Sequence, residues 1–380
     1  MSDIINIGVN DHNIDLFESQ FPVKNGMSYN SYLLLDEKIA VFDTVEKSFG
    51  TEWLNNLKNA LNGKEPDYLI IQHMEPDHSA NIDEFFKIYK NAALVCNAKT
   101  IAMVEKYFKR LTINKKILVQ DGEQLNLGNH NLTFVFAPMV HWPEVMVTYD
   151  SFSKTLFSAD AFGKFGALDV EDNWIDEARR YYFGIVGKFG AQVNALLNKA
   201  SSLDIQNIYP LHGPVLTENI NHYLNIYSNW ASYNPEENGI LIAYTSIYGN
   251  TKSAVLYLEN ELKEQGFKNI ATFDLSRCDI YSALAVAFKY NKIILASTTY
   301  NGDIFPKMSE FLNLLTNRNF KNRKVAIIEN SSWAPSVARV IKAKLSASEN
   351  IEFLEPVVSI KSSLGEENLI QIKELINNLK

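Results

Sequence analysis

The 380-residue chain has only two cysteines, Cys96 and Cys278, far apart and without a Cys-x-x-Cys motif. That excludes a disulfide framework and a cysteine-ligated metal centre. No apolar run approaches the roughly 18 residues of a membrane span. The start, Met1-Ser2-Asp3-Ile4-Ile5-Asn6, lacks the basic and apolar stretches of a secretory signal, so a cytoplasmic protein is expected. Positive charge is also short: 36 Lys and Arg stand against 44 Asp and Glu, a net charge of −8. No basic run offers a face to nucleic acid or an anionic membrane. Small molecules and small redox proteins fit better as partners.

What is present is apolar material for two cores, at 46% apolar and 21% charged residues. The segment Tyr233-Asn234-Pro235-Glu236-Glu237-Asn238-Gly239 is polar and carries Pro and Gly, which sets a boundary between domains 1–237 and 238–380. In the first domain, 32–35 and 39–42 read as a hairpin and 53–61 as a helix. Strands are expected at 68–71, 116–119, 132–137, 145–148 and 155–157, and one long amphipathic helix over 182–197. In the second domain, strands at 240–245, 270–273, 293–297, 325–328 and 351–358 alternate with helices near 254–262, 308–315, 337–345 and 369–379. That rhythm predicts a parallel doubly wound sheet.

The densest chemistry is His73-Met74-Glu75-Pro76-Asp77-His78, directly after a buried strand. Neutral imidazole nitrogen mixed with hard carboxylate oxygen suits iron or manganese better than zinc. One loop cannot complete two coordination spheres. His141, Asp160 and His212 each stand just past an apolar run, beside small residues, Pro or Gly, and can add to the site. Alone, His212 would suit an ordinary core or surface histidine, and Asp160 a helix N-cap. His12, His130 and His222 lie in polar contexts and read as surface residues.

A second constellation lies at three strand-to-loop junctions of the second domain. They are Thr245-Ser246-Ile247-Tyr248-Gly249-Asn250-Thr251, Ser297-Thr298-Thr299-Tyr300-Asn301-Gly302 and Glu329-Asn330-Ser331-Ser332-Trp333. In the first, hydroxyls and backbone N–H groups converge on a helix start, as for a phosphate. A plain strand-to-helix turn with a Thr or Asn cap would look similar. It matches neither Gly-x-x-x-x-Gly-Lys-Ser/Thr nor Gly-x-Gly-x-x-Gly. Open α/β sheets bind ligands at the carboxyl ends of their strands, and Tyr300 and Trp333 offer faces to a flat ring.

The pattern His-x-Glu-x-Asp-His, then His141, then Asp160 after 18 intervening residues, then His212, resembles the diiron site of the flavodiiron proteins, also called A-type flavoproteins. The three later loops resemble the FMN loops of flavodoxin. The resemblance covers the whole chain. It implies a metallo-β-lactamase-like αββα sandwich followed by a flavodoxin-like doubly wound parallel sheet, without a fused rubredoxin. It implies that His73, Glu75 and His141 hold one iron, that Asp77, His78 and His212 hold the other, and that Asp160 bridges. In some members the residue matching His78 turns away from the metal. Zinc hydrolases of the same fold carry His where Glu75 stands. Thr298 departs from a usual Pro, and Glu329-Asn330-Ser331-Ser332-Trp333 from a frequent Gly-Ser-Tyr-Gly-Trp.

The implied cofactors are two iron ions and FMN. The phosphate would rest on 246–251, and the ring between Tyr300-Asn301 and Ser332-Trp333. The implied reaction reduces dioxygen to water, or nitric oxide to nitrous oxide, with electrons passed from FMN to the irons. An external donor such as rubredoxin is implied, as is a head-to-tail homodimer or dimer-based tetramer with Trp333 between the centres. A zinc hydrolase with a flavodoxin-like partner domain, and an electron carrier with a scaffold domain, are the competing readings.

Overall fold

The computed structural model describes residues 3–380; Met1 and Ser2, part of the stretch read above for a leader, lie outside the described residues. The chain divides into two compact units, Met1–Ser228 and Asn229–Lys380. The division falls within the helix Ile220–Ala231, ahead of the boundary expected from Pro235 and Gly239.

The first unit holds two large sheets and two small two-stranded ones. One large sheet orders Ile4–Asn6, Tyr32–Leu34, Ala40–Phe42, Tyr68–Ile70, Ala93–Cys96 and Lys115–Leu118. The other large sheet orders Gln124–Asn126, Asn131–Phe136, Met146–Asp150, Thr155–Phe157 and Asn207–Tyr209. Their inner faces meet in one core, where Tyr32, Phe42, Ile70 and Val95 pack with Leu132, Phe134, Met146 and Phe157. The Phe42 and Phe157 rings stack at 3.9 Å between centroids. Outer helices such as Gly50–Leu61 bury a single stripe (Trp53, Leu57, Leu61), as a helix on a sandwich does. This is the expected αββα arrangement.

Strand direction decides where the site forms. Ala40–Phe42 and Tyr68–Ile70 run parallel, as do Thr155–Phe157 and Asn207–Tyr209. Asn131–Phe136 is antiparallel to Met146–Asp150, which is antiparallel to Thr155–Phe157. Within each sheet the carboxyl ends of the strands that run the same way therefore share one edge. The loops carrying Asp43, His73, His141, Asp160 and His212 all leave from such ends.

The second unit has the sheet order Ile270–Asp274, Glu237–Tyr244, Tyr290–Tyr300, Arg323–Ser331, followed by Ile351–Phe353 and Val358–Lys361, all paired in parallel. In chain order this is the 2-1-3-4-5 winding of flavodoxin-like sheets.

Three expectations need correction. The long helix over 182–197 is broken: Trp174–Tyr181 passes into a π-turn at Tyr182–Val186 and a 3-10 turn at Gly187–Phe189 before Gly190–Ala200 resumes. Gly184, Gly187 and Gly190 fall in this stretch. A Cβ on Gly184 would lie 2.7 Å from Phe21, so the irregular turns bring backbone against a core ring. The strand over 351–358 is two strands, interrupted at Glu355-Pro356, where proline cannot donate to the ladder. The helix Ile280–Lys289, mostly apolar and buried along Ala283, Leu284, Ala287 and Phe288, was missed. No described helix is long and apolar enough to cross a membrane.

Candidate metal centre

The loop after Tyr68–Ile70 turns at Pro76, the first residue of the short helix Pro76–Ser79, whose fixed φ suits that position. This places the side chains of 73–78 into one space. His73, Glu75, His141 and Asp160 form one group, and Asp77, His78 and His212 a second, each with ligand atoms within 4.8 Å of one another. All seven sequence-predicted residues are thus brought together.

In the first group Glu75 Oε2 lies 3.2 Å from His73 Nε2 and 3.0 Å from His141 Nε2. In the second, Asp77 Oδ2 lies 3.3 Å from both His78 Nε2 and His212 Nε2. His78 faces the site, its Nε2 3.0 Å from that of His212. Asp160 spans the two groups: Oδ2 is 3.3 Å from His73 and 3.1 Å from His141, and Oδ1 is 3.3 Å from His78.

The donor chemistry fits a pair of cations. Both oxygens of Asp77 and of Asp160 are buried without a hydrogen bond, a costly arrangement that bound metal would relieve. Two imidazoles are oriented for ligation. His212 Nδ1 donates to the Ser28 carbonyl at 2.6 Å, which turns Nε2 inward. His73 Nδ1 meets Glu144 Oε1 at 2.9 Å, which turns its Nε2 toward the same space. Electrostatics agree. Burial pushes Asp160 up, but the imidazoles of His73, His141 and His78 hold it well below the usual carboxylate range. Burial opposes charge on His141, yet Asp160 and Glu75 push it up to about 9. The carboxylates that would hold metal therefore hold protons on the histidines.

Several contributors escaped the sequence reading. Asp43, fully buried and pushed up to about 6 by that burial, accepts the backbone N–H groups of Gln72 and His73 and so fixes the start of the ligand loop. Phe17, Tyr29 and Tyr181 set their rings 5.4 to 5.9 Å from His212. Asp11, Glu18, Glu46, Glu75 and Asp77 line a pocket opening on this side. Burial and the adjacent Glu75 push Glu18 up to about 7. Glu144, three residues after His141 in His-Trp-Pro-Glu, was the one with a readable cue. His130, read as exposed, is buried, its Nδ1 2.7 Å from Asp150 Oδ2; His12 pairs at the surface with Asp169.

In the second unit a pocket is lined by Ser246, Ile247, Tyr248, Asn250, Thr251, Thr298, Thr299, Tyr300, Asn301, Asn330, Ser331, Ser332 and Trp333, joined by Ala334 and Ser362. Thr245 and Ser297 instead bond to each other in the interior at 2.8 Å. Ser246 Oγ accepts from Gly249 N and Lys252 N, closing the loop at the start of the helix Asn250–Glu264. Gly249 has φ +94° and a Cβ there would meet nothing within 4 Å, so open space faces this backbone, as a phosphate cradle requires. Asn301 (φ 50°) and Gly302 (φ 73°) turn the second loop. The buried Thr298 hydroxyl has no partner, which leaves a polar group for a flavin edge. Ser362 follows the last strand and bonds Ser332 Oγ at 2.9 Å. Tyr248 and Trp333 are 93% and 89% exposed.

The chain is similar to several known proteins. The family model "ODP family beta lactamase" matches residues 27–213, which span all seven metal-site residues. An anaerobic nitric oxide reductase flavorubredoxin of Vibrio vulnificus is 30% identical over 87% of this chain and 69% of its own length. A nitric oxide reductase of Moorella thermoacetica is 27% identical over 97% and 94%. Among solved structures, a flavo di-iron protein variant of Thermotoga maritima is similar with TM-score 0.89 and 26% identity, covering 99% of this chain and 95% of that one. Rubredoxin oxygen:oxidoreductase of Desulfovibrio gigas shares the fold at TM-score 0.91 and 22% identity, over 99% and 96%. On this likeness, the chain belongs to the flavodiiron proteins, a family of oxidoreductases that carry FMN and a pair of irons.

Proposed function

We propose that this flavodiiron oxidoreductase reduces dioxygen to water, with His73, Glu75 and His141 holding one iron, Asp77, His78 and His212 the other, and Asp160 bridging. The observation that carries the reading is Asp160, whose two oxygens face different ligand groups. When bound, FMN supplies electrons singly and two ferrous ions supply two together to one small oxidant.

The chain's own residues set the conditions. Ser28 and Glu144 fix the two outer imidazole nitrogens, so the ligand set is pre-formed. Phe17, Tyr29 and Tyr181 keep water from the His212 side. The acidic pocket mouth disfavours anionic esters and is indifferent to an uncharged gas. The 246–251 loop would hold the FMN phosphate, and the loops at Tyr300-Asn301 and Ser332-Trp333 its ring.

A second reading, nitric oxide to nitrous oxide, is favoured by the names of the Vibrio and Moorella relatives. We further propose a rubredoxin-like donor, a head-to-tail homodimer that sets the FMN of one chain near the irons of the other, and a cytoplasmic setting. Anaerobic spectra with iron and FMN quantification test the cofactors, and steady-state rates with each gas from one reduced donor test the substrate. Rapid nitric oxide loss beside negligible oxygen consumption would select the second reading. About two zinc and no iron per chain would overturn both.

A further inference from the structure

The two ligand groups are not backed alike. His212 Nδ1 donates to a neutral carbonyl, that of Ser28, at 2.6 Å, and His78 Nδ1 is buried without a partner. His73 Nδ1 instead meets a carboxylate, Glu144 Oε1, at 2.9 Å. The same oxygen accepts the Met74 N–H at 2.9 Å, while Oε2 is buried and accepts nothing. Glu144 is itself anchored, since its carbonyl accepts from Asn97 Nδ2 at 2.6 Å. It follows His141 by three residues, so it ties the His73 loop to the His141 loop within one ligand group.

A carboxylate behind a ligand histidine makes the imidazole a stronger donor than a carbonyl does, and a stronger donor stabilises the more oxidised metal. We propose that Glu144 is a positioning residue that makes the two metal positions electronically unequal, holding the iron at His73, Glu75 and His141 at the lower reduction potential. This rests on the assignment of those residues as iron ligands.

Glu144→Gln tests it, because the side-chain carbonyl still accepts from His73 and the charge is gone. Iron-loaded, FMN-containing wild type and variant are titrated anaerobically, with iron content and the electron paramagnetic resonance of the half-reduced pair as readouts. One of the two one-electron steps should move to higher potential in the variant, with the other nearly fixed, and Glu144→Asp should bring it back toward wild type. Should Glu144→Gln fail to fold, Glu144→Asp still tests the idea, since its shorter carboxylate predicts a smaller upward shift of the same step. Unmoved steps at full iron content, or equal shifts of both, overturn the proposal. A wild type without an iron pair would instead overturn the ligand assignment.

Discussion

If Asp160 serves both ligand groups, the metal dependence of stability will not divide evenly between them. A cation that binds only the folded chain stabilises it by about 2.7 kcal/mol per site at about a hundredfold excess over Kd, so two sites give about 5 kcal/mol. A unit the size of Met1–Ser228 unfolds with an entropy near 0.5 kcal/mol per kelvin, which converts this to a rise of about 11 °C in Tm. Differential scanning calorimetry of the metal-free chain, with and without ferrous ion under anaerobic conditions, reads it directly. His212→Asn removes a ligand of one group only and should keep roughly half of the rise. Asp160→Asn removes an oxygen from each group and should keep less than about 3 °C, though it deletes a single charge. Equal residual rises in the two variants would refute the shared carboxylate. No rise in wild type would refute the metal site.

Other consequences follow from the packing. Phe157→Ala breaks the stack with Phe42, both rings being fully buried, and should cost about 3–5 kcal/mol in urea unfolding; a cost below about 1 kcal/mol would contradict the assigned core. Burial pushes the Cys96 thiol up to about 12 and that of Cys278 up to about 11. At pH 8 only about one Cys96 in ten thousand is then thiolate, so a chromogenic disulfide reagent should label it at a measurable rate only after unfolding. His130→Ala strips a partner from buried Asp150 and should lower stability by about 1–3 kcal/mol with iron content unchanged; lost iron would show that this pair reaches the metal site.

The legible part of the fold was what local spacing encodes. The loop of 73–78 could be read because its ligands are contiguous, and the parallel sheet because strands and helices alternate. His141, Asp160 and His212 needed a family pattern, since their convergence depends on strand directions in a sheet that spacing does not reveal. Asp43 and Tyr181 gave no sign, because each acts through a neighbour distant in sequence. The irregular turns at 182–189 were hidden by apolar periodicity, which continues through them while the backbone changes pitch. Pro356 did carry a warning that the strand ended, and Ser362 could have been found as the next strand-end residue of the same sheet.

The pocket mouth has a kinetic consequence. Asp11 and Glu46 line it without belonging to either ligand group. Their field reaches about 30 Å at 0.01 M ionic strength and about 10 Å at 0.1 M. An anionic inhibitor such as azide should therefore grow more potent as salt is added, while turnover of an uncharged gas stays flat. The entrance then acts as a charge filter whose setting is the ionic strength of the surrounding solution.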